Sequence, residues 1–341
     1  MTDSTIELHH LTHTGPRGTS VAVVAPAWGA NIVAFGFHPR ELMWPIAFLE
    51  IVDAARLAAK PTGFGAPLLA PTPGRTGTRE PGAFTFDGRP YRLAQPRHGF
   101  LRNVPWTVAE RTPSSILCTL DVTPQTAALG ESPFAFRAEH RVSVSEARLD
   151  ARITFHSTAS TDQPIGMGWH PYLQRDPGCR LRIPAASLWE VDGSSEPVPT
   201  GRRVPVAGPS DFRAGRVLGP PQEEHWDATF ADLAYEDGVS QSGLESEAAL
   251  LGADQQPRRV GVRRLVELRR AANVAPMDNI QLYTAPGRDA VAVEPFSAPP
   301  DAVNLLAHGH EQTGLVRLRP GGQLVFEMGL VLDVRIAGQA G

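Results

Sequence analysis

The chain of 341 residues has little cysteine and no pattern that would use it. Cys118 and Cys179 form neither a CxxC nor a metal-ligand spacing, which argues against a disulfide framework. No run of eighteen apolar residues occurs, and the polar stretch Met1 to Thr19 has no apolar signal core. The expectation is a soluble, cytoplasmic protein without a membrane partner. A dominant charge of one sign is also missing. The net charge is −4 and the basic residues, mostly arginines, are spread along the chain, which disfavours nucleic acid and membrane surfaces as partners. GxSxG, HExxH, GxGxxG and GxxxxGK followed by Ser or Thr are all absent. That removes the serine-hydrolase elbow, the zinc-protease helix, the dinucleotide fingerprint and the P-loop. His9-His10 and His308-Gly309-His310 are close pairs, but neither has acidic or cysteine partners in a ligand pattern, so no metal is expected.

What is present is turn chemistry and alternation. Glycine and proline number 32 each in a chain that is 42% hydrophobic and 20% charged, a balance that means many turns rather than disorder. Ser20 to Ala25 and Asn31 to Phe37 are apolar segments split by Pro26-Ala27-Trp28-Gly29. Phe84 to Leu93 alternates around Asp87-Gly88, a strong hairpin signal. Phe134 to Val144 and Arg148 to Phe155 alternate around Ser145-Glu146-Ala147, a hairpin buried on one side. Ile280 to Thr284, Ala290 to Phe296, Leu315 to Leu318 and Gln323 to Leu332 read as strands. Leu49 to Lys60 reads as one short helix, Val260 to Ala271 as strand or helix, and Gly63 to Pro81 as a long loop of the functional kind. Asp192 to Gln222 reads as irregular and Glu236 to Arg258 as loop-like. The sum is an all-β chain, a large antiparallel β-sandwich with little helix. It reads as a single domain over 1–341, with 1–19 a polar extension or edge segment.

Polar residues in unusual settings carry the chemistry. The stretch Gly166-Met167-Gly168-Trp169-His170-Pro171-Tyr172 holds a histidine between glycines, aromatic faces and a backbone fixed by proline. Glu294 follows Val291 and Val293 and precedes Pro295-Phe296; a carboxylate there costs free energy unless it is paired or used. Arg75, His98 and Asp227 interrupt glycine, proline or aromatic neighbourhoods. Each of these also reads as a satisfied structural residue. As a set, two histidines, two carboxylates and an arginine are acid–base equipment that needs no cofactor.

The chain resembles the aldose 1-epimerase (galactose mutarotase-like) family. The resemblance is carried, in order, by Pro73-Gly74-Arg75; Phe84-Thr85-Phe86-Asp87-Gly88 with Tyr91 and Leu93; His98-Gly99-Phe100 with Trp106; His170-Pro171-Tyr172; Asp227-Ala228-Thr229-Phe230; and Glu294-Pro295 with Pro300-Asp301-Ala302 and Asn304. Gly314-Leu315 and Leu318-Arg319-Pro320-Gly321 resemble the family's end, so the likeness spans roughly Val21 to Leu332. It implies a β-sandwich that interconverts α and β anomers of a sugar. Glu294 would be the general base and His170 the general acid, with His98, Arg75 and Asp227 binding the sugar. Arg79 lies in the same loop as Arg75 and competes for that role. Trp169 or Tyr172 is a candidate to stack on the sugar, with core packing as the alternative.

Arg102 follows His98 by four residues. On an extended segment the two would share a face, where Arg102 with Arg75 or Arg79 would clamp a phosphate. Arg102 also reads as a surface or ion-pairing residue, and a net charge of −4 gives no general attraction for anionic sugars, so a free aldohexose is the expected substrate. A hexose 6-phosphate, or a carbohydrate-binding protein without turnover, is the alternative.

Overall fold

A computed structural model describes residues 7–77, 80–123, 133–194 and 196–337. The alternation at 134–155 does what its period dictates. Phe136–Ser145 pairs with Arg148–Ser157, and every second residue turns inward. The turn at Asp87-Gly88 has left-handed φ at both central residues, 48° and 73°, which suits a type I′ hairpin.

These hairpins belong to larger antiparallel sheets. One has nine strands, in the order 216–217, 180–182, 239–251, 257–269, 323–336, 148–157, 136–145, 115–122 and 107–111. Another has eight, in the order 199–205, 185–191, 227–233, 279–283, 290–296, 168–169 and 68–69, with the 185–191 strand bulged and the short 172–174 strand also against 290–296. The two large sheets face each other across one hydrophobic cluster that runs from Leu11 to Leu332. Trp169 from one sheet meets the ring of His140 from the other, with centroids 6.3 Å apart. Around this lies an aromatic chain: Phe134 on Phe136, Phe136 on Phe155 at 5.1 Å, and Phe155 on Phe326.

A four-stranded sheet is built from His9–Thr14, Gly18–Ala25, Asn31–Pro39 and Ile46–Ala47. Residues 9–14 are thus an edge strand; residues 1–6 lie outside the described residues. Among the described residues, the α-helices are Ala54–Ala59 and Ala302–Ala307, and no helix is long and apolar enough to cross a membrane.

Three sequence expectations need correction. The helix at 49–60 shrinks to Ala54–Ala59 because the N–H groups of Leu49 and Glu50 donate to Phe35 and Tyr172, while Asp53 caps the helix by accepting from the Arg56 N–H at 2.8 Å. The 192–222 stretch contains the strand Pro199–Pro205. The supposed loop 236–258 is mostly a thirteen-residue strand, Val239–Leu251, paired along its length with Pro257–Arg269. Its inward positions are Ser240, Ser242, Leu244 and Ser246, all buried, so small hydroxyl residues hide the usual hydrophobic alternation. The same pairing resolves 260–271 as strand.

Phe136 is fully buried where three phenyl rings meet. Phe136→Ala is expected to cost about 3–5 kcal/mol by urea denaturation, seen as a lower midpoint at an unchanged slope.

Candidate active site

Strand register assembles one face of the eight-stranded sheet. Residues directly opposite in an antiparallel pair share a face. Asp227 pairs with Tyr283, Tyr283 with Ala292, and Ala292 with Tyr172. In the next row Thr229 pairs with Gln281, and Gln281 with Glu294. Gly168 pairs with Phe296, so His170, two residues on, falls level with Glu294. The opposite face carries Phe230, Ile280, Leu282, Val291 and Val293, all in the main core.

His170 Nε2 lies 3.1 Å from Glu294 Oε1, with 6% and 1% of the two side chains exposed. The other carboxylate oxygen, Glu294 Oε2, is buried without a hydrogen-bond partner. Burial, together with the nearby charge of Asp227, pushes the Glu294 carboxyl well above its ordinary value, against the pull of Arg102. Burial and the positive charge of Arg102 push the His170 imidazole down to about 3. The two shifts act together: burial disfavours the carboxylate and the imidazolium alike, so the pair resists both losing its last proton and gaining a second.

Loops from the N-terminal half supply the facing wall. His98 has φ 62° and Gly99 φ 63°, a left-handed double turn that swings His98 over the site instead of along a strand. A Cβ on Gly99 would lie 2.1 Å from the Ala70 carbonyl oxygen, so only glycine fits. The Gly74 N–H donates to His98 Nδ1 at 3.3 Å. That leaves Nε2 to carry the proton and point as a donor, and burial holds the ring neutral. Gly74 is packed under Pro300, Asp301 takes the Arg75 carbonyl through its backbone N–H at 2.7 Å, and its carboxylate accepts from the Gly77 N–H. This clamp places Arg75, which donates to Asp227 Oδ2 at 2.9 Å and to Glu196 at 2.8 Å. Gln281 donates to the other oxygen of Asp227 at 2.6 Å.

Together these side chains line a cavity of about 250 Å³ with Lys60, Arg97, Arg102, Tyr172, Tyr283 and Phe296. Drug-sized ligands occupy roughly 300–1,000 Å³, so this one has the scale of a single sugar ring. Among the described residues, no group of three or more His, Cys, Asp or Glu side chains is placed to hold a metal ion.

The sequence profile of the aldose 1-epimerase family matches residues 12–330. The chain belongs to the aldose 1-epimerase family. Solved structures agree on the fold. A protein of Synechocystis superposes with a TM-score of 0.69 at 18% identity, covering 98% of each chain. A galactose mutarotase-like protein from Clostridium acetobutylicum gives 0.70 at 16% identity, covering 97% of this chain and 99% of that one. An aldose epimerase homologue from C. elegans gives 0.67 at 17%, covering 96% and 99%. A search of curated proteins finds no match.

Of the residues singled out in the sequence of this family member, Glu294, His170, His98, Asp227, Arg75, Arg102 and Tyr172 converge on the cavity. Trp169 does not, which corrects its candidacy for stacking on a sugar. Strand alternation puts it on the face opposite His170, fully buried against His140. Gly166 and Gly168 are approached by Pro73 and by the Phe296 ring, not by a ligand. Arg102 reaches the cavity from the short helix Leu101–Asn103, not by extension from His98. Arg79 lies outside the described residues. Sequence reading missed Gln281, Tyr283, Arg97 and Lys60. For Gln281 and Tyr283 the signal was there: they alternate with Ile280 and Leu282 on a strand whose apolar face was evident.

Gly99→Ala adds a Cβ against backbone at a left-handed position. It is expected to cost about 2–4 kcal/mol in chemical denaturation and to weaken ligand binding by displacing His98. Unchanged stability would refute the account of that turn.

Proposed function

We propose that the protein is a cofactor-independent aldose 1-epimerase that interconverts the α and β anomers of a free aldohexose by opening and reclosing the ring. The observation that carries this reading is the buried His170–Glu294 contact at 3.1 Å, with one carboxylate oxygen unpartnered beside a polar cavity. A pair that shares one proton can move protons to and from two sugar oxygens without net exchange with water.

In the proposed reaction the Glu294 carboxylate takes the proton of the anomeric hydroxyl while the His170 imidazolium gives its proton to the ring oxygen. The C1–O5 bond breaks and C1=O1 forms. Rotation about C1–C2 exposes the other carbonyl face. O5 then attacks C1, its proton returns to His170, and Glu294 returns the first proton to O1. The neutral arrangement, carboxyl with imidazole, and the ionic one, carboxylate with imidazolium, differ by a proton transfer along the 3.1 Å contact. His98, Asp227 and Arg75 supply polar contacts for the hydroxyls. Tyr172 lines the cavity with its ring stacked on His170, centroids 4.3 Å apart.

One observation favours a second reading, a phosphorylated aldose. Arg102 is largely buried at the cavity and its Nε has no hydrogen-bond partner. The ratio of kcat/KM for glucose and glucose 6-phosphate decides. A strong preference for the phosphate that collapses in Arg102→Ala would replace the free sugar as substrate. A non-catalytic sugar-binding role is disfavoured by the proton-sharing pair, which a binder does not need.

The test is polarimetry on pure α-glucose and α-galactose. Glu294→Gln, nearly isosteric, is expected to lower the rate by roughly 10²–10⁴-fold with unchanged circular dichroism. His170→Asn should lower it comparably while weak binding persists. Wild-type rates in either variant would refute its assignment. The kcat/KM profile should show two limbs set by the pair. Its acid limb should lie below the ordinary imidazole value of 6.5, because a second proton enters the pair only when the depressed imidazole is protonated. Its alkaline limb should lie above the ordinary carboxylate range, because the last proton leaves a carboxyl held high. An acid limb at the ordinary imidazole value would contradict this picture.

A further inference from the structure

Behind His170 stands a column of groups that the proton-transfer scheme does not use. The Tyr172 ring stacks on the imidazole, with an interplanar angle of 29°. On Tyr172 lies the guanidinium of Arg288, its central carbon 3.9 Å from the ring centroid. The same carbon lies 4.5 Å from the centroid of the Phe64 ring. Glu50 pins the cation: Arg288 Nε donates to Glu50 Oε2 at 2.7 Å, and Nη2 donates to the same oxygen. Only 16% of the Arg288 side chain and 7% of that of Glu50 are exposed. The backbone closes the assembly, since the Glu50 N–H donates to the Tyr172 carbonyl at 2.8 Å.

Such an arrangement is costly to build for packing alone. A buried ion pair seldom outperforms apolar residues of the same volume. Arg288 sits on the loop between the Asn279–Tyr283 and Ala290–Phe296 strands, while Glu50 and Phe64 flank the short helix Ala54–Ala59. The column therefore ties three separate segments to the imidazole.

We propose that Arg288 is a positioning residue for His170: pinned by Glu50 against the Tyr172 ring and beside Phe64, it holds the Tyr172 ring on the imidazole and sets the proton affinity of the His170–Glu294 pair. This rests on the acid–base reading of that pair. The groups facing the imidazole are Tyr172 from its own segment, Glu294 and Tyr283 from the adjoining strands, His98 and Arg102 from the facing wall, and Lys60 from beyond the short helix. Arg102 is the stronger cation acting on His170 and Arg288 the next; both disfavour a second proton. Arg102 also faces the cavity, whereas Arg288 reaches His170 through Tyr172.

The experiment compares the parent with Arg288→Met and Arg288→Lys. Two readouts are taken: the pH dependence of kcat/KM by polarimetry, and titration of the His170 imidazole by NMR, assigned with His170→Asn. The NMR readout needs no turnover, so it answers even if neither aldose is a substrate. Removing the cation in Arg288→Met favours the imidazolium. It should raise the His170 titration and the acid limb by roughly 1 unit; loss of the guanidinium against the Tyr172 ring should separately loosen the imidazole and lower kcat about tenfold, with KM little changed. Arg288→Lys keeps the charge but loses the planar stack, so its limb should stay near the parent's while kcat falls. If kcat falls in Arg288→Met with the His170 titration unmoved, the residue only supports the fold and the proposal is overturned. Unchanged kcat and titration overturn it as well. If Arg288→Met does not fold, Arg288→Gln, which keeps a donor for Glu50, takes its place under the same criteria. Loss of fold in both would mark Arg288 as structural and overturn the proposal.

Discussion

A carboxyl group as deeply buried as that of Glu294 has to be paired or neutralised, and everything around it answers that demand. Its neighbour at 3.1 Å is an imidazole just as dry. Removing both groups from water penalises charge on each, so the pair resists losing its last proton or gaining a second. In the proposed reaction, the proton they hold is what is exchanged between two sugar oxygens. The same desolvation that makes the site expensive suits it to that proposed role.

Holding two such groups in contact requires rigidity on both sides. The eight-stranded sheet supplies one side, where pairing register fixes Glu294, Gln281 and Thr229 in one row and Tyr172, Tyr283 and Asp227 in the next. The opposite face of those strands is packed into the main core, so the site stands on an element that cannot shift alone. The facing wall is made of loops, and these are interlocked: Gly74 under Pro300, the Arg75 carbonyl on the Asp301 N–H, His98 joined to Gly74, and Gly99 against Ala70. These contacts give structural meaning to several short motifs by which the chain resembles its family. Pro300 lines the cavity and packs on Gly74, while Asp301, itself held by Asn304, holds the loop that carries Arg75.

The arginines in and behind the cavity differ in how they are balanced. Arg75 is matched by Asp227 and Glu196, Arg97 by Glu196, and Arg288 by Glu50. The ion pairs fix where the matched guanidinium groups stand, and each still has N–H donors to spare. Arg102, with an unpartnered Nε, retains donors for a ligand.

Sequence by itself determined the strand-rich architecture where alternation was apolar, as at Phe136–Ser145, and the hairpin at Asp87-Gly88, where left-handed φ demands such residues. It also exposed Glu294, because a carboxylate inside an apolar strand stands out, and the ordered motifs pointed to the family that matches residues 12–330. It failed where local composition hides the pattern. Buried serines disguised Val239–Leu251, and Trp169 looked like a neighbour of His170 when the pleat sends the two to opposite faces. Which arginines are matched, that Gln281 supports Asp227 across strands, and that Arg288 bears on His170 through Tyr172 were decided only in three dimensions. These partners lie up to 238 residues apart in the chain, and burial and register are properties of the assembled sheet that no local stretch contains.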